Sequence, residues 1–441
     1  MSAELISIIV LVAVFVIATT RSINMGALAF AAAFGVGELV ADFDTDTIFA
    51  GFPGDLFVVL VGVTYLFAIA RANGTTDWLV HASIRVVRGR VALIPWVMFV
   101  LTGALTAIGA VSPAAVAIVA PIALSFATRY GISPLLMGAM VVHGAQGGGF
   151  SPISIYGTIV NGIVERENLP GNEIALFLSS LIVNLVIAGI LFVVLGGLKL
   201  RGVGDGTEAD AAKGADEGHD EAKKGQEGKG EEEKGQEEDE GTRLTPARIA
   251  TLTALVALVV AVLAFDLDAG LTSITLAVAL SACWPEDSRN AVGQIAWPTV
   301  LLICGVLTYV AVLDEMGTIK WAGDGVSDIG IPLLASVLLC YIGAVISAFA
   351  SSVGIMGALI PLAVPFLAQG EIGAVGMVAA LAVSATVVDV SPFSTNGALV
   401  LAAAPGVDRE RFFRQLMMYG GIVVAVVPAV VWLALVVPGW G

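Results

Sequence analysis

Apolar runs, most of them 15 to 25 residues long, recur from one end of this chain to the other. Each is long enough to span or nearly span the hydrocarbon of a bilayer. They fall at 5–19, 25–41, 55–70, 91–110, 113–127, 134–164 and 174–198. After a hydrophilic interval they resume at 247–265, 269–283, 298–313, 332–349, 354–368, 372–404 and 416–437. With 57% of residues hydrophobic and 13% charged, a water-soluble fold could not cover its surface with polar groups. The expected class is an all-α polytopic membrane protein. Glu4 precedes the first run and no basic residue does, so 5–19 reads as a retained helix and not a cleaved signal.

The formal net charge of −16 is concentrated in one place. Between Arg201 and Arg243 there are 15 Asp/Glu against 7 Lys/Arg, which is half of the total. This Gly-, Glu-, Lys- and Gln-rich stretch cannot bury a core and reads as a disordered, solvated linker over 200–246. It divides the chain into 1–199 and 247–441. Cys283, Cys304 and Cys340 lie in apolar runs without metal-type spacing, and read as small buried hydrophobes.

The two flanking segments carry the same parts in the same order. Shifted by 240, residues 103–157 lie over 343–397 without a gap, with 15 of 55 positions identical. Among these are Ser112/Ser352, Pro121/Pro361, Ser151/Ser391, Pro152/Pro392, Ser154/Ser394 and Gly157/Gly397. Internal duplication of this kind marks transporter folds. Each half is read as about five transmembrane helices, one of them broken, plus one re-entrant helical hairpin. The hairpins are placed at about 91–128 and 332–368, and the broken helices at about 134–164 and 372–404. Five crossings is an odd number, so the second copy is expected to be inverted. With both termini outside, 19 of 21 Lys/Arg fall on the cytoplasmic side together with the linker; Arg166 and Lys320 do not.

Two kinds of place interrupt the hydrophobic pattern. The hairpin turns, at 109–114 and 349–354, contain small and hydroxyl residues. Helix starts there would offer backbone N–H groups, with Ser112, Ser351 and Ser352, to an anion's oxygens. The long segments are broken at His143-Gly-Ala-Gln-Gly-Gly-Gly-Phe-Ser-Pro-Ile-Ser-Ile-Tyr-Gly157 and Asp389-Val-Ser-Pro-Phe-Ser-Thr-Asn-Gly397. Non-helical backbone at membrane depth persists only where it is buried in protein or lines a cavity. Ser154, Ser394, Thr395 and Asn396 are therefore candidate substrate contacts. Gly148, Gly149, Ser151, Asp389 and Ser391 are candidate cation ligands. Asp389 is an intramembrane carboxylate, a functional candidate by default, although it can equally cap the half-helix that follows. His143 is a candidate proton or substrate group or a hydrogen-bonded structural residue. His81, beside Trp78 on an amphipathic stretch, reads as interfacial. No Walker A, H-E-x-x-H or G-x-S-x-G motif occurs, which argues against an ATP-driven pump and against familiar membrane hydrolases.

This layout resembles the ion transporter superfamily, in particular the divalent-anion/sodium symporters and the bacterial dicarboxylate (malonate) carriers, the MatC-like family. The stretch HGAQGGGFSPISIYGTIVNG is closest to the malonate branch. In the symporters a Ser-Asn-Thr signature stands ten residues before a hairpin proline. Counting back from Pro121 and Pro361 reaches Val111-Ser112-Pro113 and Ser351-Ser352-Val353, so the frame fits while the Asn and Thr are absent. The resemblance implies a homodimeric elevator carrier of a small dicarboxylate such as malonate or succinate, in a bacterial-type cell membrane. Sodium or protons would be the coupling ions, with no cofactor and no nucleic-acid partner. An inorganic-anion permease, a sodium/proton antiporter, and a channel or membrane subunit needing a soluble partner are the competing readings.

Overall fold

The computed structural model describes residues 2–21, 23–85, 90–202, 244–319, 321, 332–348, 352–367, 372–404 and 407–439. The linker residues 203–243, Ser351 and Lys320 lie outside them. The described residues form helices and connecting turns, with no strand among them.

The first half comprises α1 (Ala3–Arg21), α2 (Met25–Leu39), α3 (Thr45–Ala50), α4 (Gly54–Ala72), α5 (Thr75–Arg85), α6 (Ile94–Ala107), α7 (Ser112–Tyr130), α8 (Pro134–Gly148), α9 (Ile155–Arg166) and α10 (Glu173–Val194). The second comprises α11 (Pro246–Phe265), α12 (Ala269–Cys283), α13 (Pro285–Ser288), α14 (Trp297–Glu315), α15 (Pro332–Ser347), α16 (Ser352–Leu367), α17 (Ala374–Val387), α18 (Thr395–Ala402) and α19 (Arg409–Leu435). Six of these helices are long and apolar enough to cross a membrane. Exposed aliphatic side chains such as Ile182, Val186, Ile190 and Val193 on α10 suit contact with lipid. The protein is all-helical and multi-pass.

Local signals explain most helix boundaries. Asp408 accepts from the backbone N–H groups of Glu410 and Arg411, so α19 starts at Arg409, seven residues ahead of its apolar run at 416. Asp44 caps the short α3, which the apolar pattern does not announce, by accepting from Thr47 N–H at 2.8 Å.

Among the described residues a small core joins α4, α11 and α12, and two larger ones interleave. One gathers α1, α2, α4, α9, α14, α16 and α17; the other gathers α6, α7, α8, α10, α18 and α19, with Val387 of α17 at its edge. Each interrupted helix is thereby shared. In the first half α8 packs on its own hairpin (α6–α7), whereas α9 packs on α16 of the other half. In the second half α17 packs on its own hairpin (α15–α16), whereas α18 packs on α7. Close backbone approach sets the pairings. A Cβ on Gly148 would strike the Gly103 carbonyl, one on Gly144 the Phe99 carbonyl, and one on Gly305 the Gly26 carbonyl. Small residues at such crossings are how helices associate where water gives no hydrophobic drive.

Candidate functional site

The S-P-x-S-x-x-G sequence folds the same way twice. Ser151 and Ser391 each open a tight turn, their carbonyls accepting from Ser154 N–H at 2.9 Å and Ser394 N–H at 3.0 Å, with Pro152 and Pro392 at the favoured second position. Ser154 and Ser394 then start α9 and α18. Each hydroxyl donates to the first serine's carbonyl at 2.7 Å and accepts from the N–H of Gly157 or Gly397, at 3.2 and 3.4 Å. The closing glycine is required because a Cβ at 157 or 397 would collide with the carbonyl of Ser151 or Ser391. Gly149–Ser154 and Val388–Ser394 are thus two equivalent interruptions of buried helices.

These interruptions meet hairpin one at a buried polar junction. Asp389 Oδ1 accepts from the Asn396 backbone N–H at 3.2 Å. Its Oδ2 accepts from Asn396 Nδ2 at 2.8 Å and from Gln146 Nε2 at 3.1 Å. Asn396 Nδ2 also donates to Ser112 Oγ at 2.8 Å, across 284 residues of sequence. The Tyr156 hydroxyl lies beside Ser112 as well. Asp389 is the one charged residue among the buried polar groups described, and no Lys, Arg or His among the described residues forms an ion pair with it.

Ser112 begins α7. The preceding Val111 has an extended conformation and makes no side-chain cap, and Pro113 has no N–H. The chain therefore presents an uncapped helix start to the junction, with the partial positive charge of that end.

The predicted residues separate into distinct environments. Ser112, Asp389 and Asn396 come together. Asp389 is a helix cap as well as a buried charge. Ser154 and Ser394 spend their hydroxyls within their own turns. Ser151 donates to the Ala107 carbonyl, tying the first interruption to the hairpin, and Ser391 Oγ accepts from Phe393 N–H at 3.3 Å. Gly148 serves the α6–α8 contact, and the Gly149 carbonyl accepts from Gly157 N–H at 3.2 Å. Thr395 is exposed. Ser352, at the start of α16, accepts from Ser347 Oγ at 2.8 Å.

His143 is equally buried and has partners of its own. Asn184 Nδ2 donates to Ser180, so its Oδ1 is free to accept from His143 Nδ1–H at 2.7 Å. That leaves His143 Nε2 to accept from the Tyr419 hydroxyl. Both ring nitrogens are satisfied with the imidazole neutral. Removing the donor, as in Tyr419→Phe, should destabilise the protein by about 1–3 kcal/mol while leaving substrate affinity unchanged, measured by thermal unfolding beside uptake kinetics.

Gln146, Asn184 and Tyr419 were not singled out by sequence. A lone Asn or Gln inside an otherwise apolar helix is the signal that would have found Gln146 and Asn184. Nothing distinguishes Tyr419, whose partner lies 276 residues away.

Two cavities lie in the surrounding helices, the first of them beside the junction. One, of about 60 Å³, lies against the hairpin-one tip at Ala110, Val111 and Ala114 and runs to Arg71 and Gln294. The other, of about 590 Å³, reaches from Arg166, Glu167, Asp314 and Glu315 to Pro361 of α16. At its rim Arg166 pairs with Asp55, while burial and the charge of Asp314 hold the Glu167 carboxyl above its ordinary range.

The fold is one that a solved membrane transporter shares. In fold the chain is similar to the YdaH transporter of Alcanivorax borkumensis, whose crystal structure revealed an unusual topology. The TM-score is 0.57 at 14% identity, over 92% of this chain and 96% of that one. Within that class, residues 1–149 match the family described as the dicarboxylate carrier protein MatC N-terminus, so the resemblance read from the sequence holds over this third of the chain. The matched part ends at Gly149, where the first helix breaks. No curated protein matches the chain in sequence.

Proposed function

We propose that the protein is a secondary carrier of a small dicarboxylate, malonate or succinate in type, coupled to sodium or protons. The observation that carries this reading is the junction itself. Two interrupted helices from opposite halves and one hairpin tip converge on an uncapped helix start, buried in an apolar core. A substrate carboxylate would take the Ser112 N–H and hydroxyl together with the Tyr156 hydroxyl and the Asn396 amide. Anion recognition would rest on helix ends and a bound cation, since among the described residues no Lys or Arg forms an ion pair at the junction. Ser352 and Ser351 would complete the site from the second hairpin.

The sequence duplication, the matching turns and the exchanged packing of α9 and α18 support two copies of opposite orientation, with hairpins opening to opposite sides. Such an arrangement suits alternating access by movement of the hairpin-bearing helices against α2, α4, α12 and α14. A homodimer, outward termini and a cytoplasmic linker belong to the same proposal. So does the absence of enzymatic chemistry.

Purified protein in liposomes tests it. Labelled malonate is expected to enter saturably, to compete with succinate, and to require an imposed sodium or proton gradient. Transport of inorganic oxyanions with indifference to organic acids would favour the permease reading. Cation exchange alone would favour the antiporter, and flux only with a soluble partner would favour a subunit.

A further inference from the structure

The cavity of about 60 Å³ beside hairpin one is walled mainly by apolar residues of α4, α6 and α7, among them Phe67, Leu105 and Ile118. Two polar groups on its lining lack partners. Arg71, in the last turn of α4, is exposed and makes no ion pair among the described residues, and no Asp or Glu lines the cavity. Thr76, in the first turn of α5, is only 3% exposed, and its Oγ1 is buried without a hydrogen-bond partner among the described residues. An unpaired buried hydroxyl is costly, and an unneutralised guanidinium beside apolar walls focuses positive potential into the space they enclose. One kind of ligand answers both: an anion with acceptor oxygens.

We propose that this cavity is a second carboxylate site, separate from the Ser112 junction, with Arg71 as the charge that holds the anion and the Thr76 hydroxyl as a donor to it. Gln294, in the turn before α14, adds a side-chain amide to the same lining. A guanidinium pairs with a carboxylate through two parallel N–H···O bonds, and a hydroxyl can donate to a remaining lone pair. The hairpin tip is the partition between the two sites. Ala110 and Val111 line the cavity, while Ser112, the next residue, meets the junction through Asn396. A Cβ on Gly109 would strike Val63 of α4, so the tip sits directly against the helix that carries Arg71.

The role of the site rests on the carrier reading. In that reading hairpin one moves against α4, so the cavity lies on their sliding boundary. Arg71 falls on the face that the Lys/Arg distribution marks as cytoplasmic. An anion leaving Ser112 past Val111 would be taken by Arg71 before it reached bulk water. An exposed guanidinium is screened by solvent and salt, which keeps the hold weak enough for release.

The test uses the full-length chain. In detergent, labelled malonate is titrated to equilibrium onto wild type, Arg71→Gln and Thr76→Val. Two binding phases are expected, and either substitution should weaken the weaker phase by about tenfold or more while leaving the tighter one unchanged. Thr76→Val should melt no lower than wild type, because its hydroxyl has no partner to lose. Arg71→Lys, which keeps the charge without the planar fork, should restore part of the weaker phase. In liposomes, Arg71→Gln should raise the half-saturating malonate concentration by about tenfold from the face bearing Arg71 and not from the other. A single phase in wild type overturns the site, as does a weaker phase that neither substitution moves. An equal rise from both faces overturns the relay. If Arg71→Gln does not fold, Thr76→Val and the wild-type titration decide the matter. A weaker phase that depends on Arg71, in protein that takes up no dicarboxylate, would sink the carrier reading and leave the site standing. Saturable uptake with binding indifferent to Arg71 and Thr76 would do the reverse.

Discussion

Asp389→Asn is expected to reduce coupled uptake by about 100-fold, while the melting temperature in sodium-free buffer stays the same or rises. The direction of the second effect comes from burial. As a carboxylate, Asp389 would hold its charge in an apolar core, against neutral donors only among the described residues. Removing that charge relieves a desolvation penalty of several kcal/mol and gives up three hydrogen bonds that an amide oxygen can partly recover. The loss of uptake follows because an amide offers a cation no charge, and loss of a ligand-level interaction costs roughly 10–100-fold in affinity. A variant that unfolds would mark Asp389 as structural, and one that transports normally would remove it from the mechanism. Loss of activity without loss of stability is the pattern of a functional site.

The second large effect is steric, and it discriminates between neighbouring glycines. Gly148→Val should destabilise the protein by about 3 kcal/mol, at the upper end of overpacking penalties, and should abolish uptake. A Cβ at 148 meets the Gly103 carbonyl oxygen and, at 2.5 Å, the Thr106 hydroxyl, neither of which can withdraw without parting α6 from α8. That separation would draw hairpin one away from Gln146. Gly147→Ala, one residue earlier, should be tolerated, because its Cβ finds Asn184 Cβ at 3.4 Å, an ordinary contact. Thermal unfolding of the two variants side by side checks the contrast. Equal melting temperatures would mean that the α6–α8 contact is not the tight one described.

The helices and their interruptions were legible in sequence because both depend on local chemistry. Apolar length marks a span, and S-P-x-S-x-x-G specifies a turn, a cap and a crowded glycine within seven residues. The roles of those serines were less legible. Ser154 and Ser394 look like free hydroxyls at membrane depth, yet the backbone they interrupt consumes them. The junction was legible only in part. Asp389 stands out as an intramembrane carboxylate, whereas Gln146 gains its meaning from a partner 243 residues away. Such pairings are set by which half packs against which hairpin, and no local pattern encodes that. The same holds for His143, whose neutral, fully partnered state is set by Asn184 and Tyr419 on two other helices.

The exchanged packing of α9 and α18 has a consequence for biogenesis. When α9 leaves the ribosome, the α16 surface that will bury it does not yet exist, and the start of α7 likewise waits for α18. At ~5–20 residues per second the interval from Arg166 to Ala402 lasts roughly 10–50 s, during which a polar seam and bare glycine ridges face lipid or insertion machinery. Completion of the nascent transporter is therefore a single late event, and the first half is most open to quality-control proteases until the last two helices arrive.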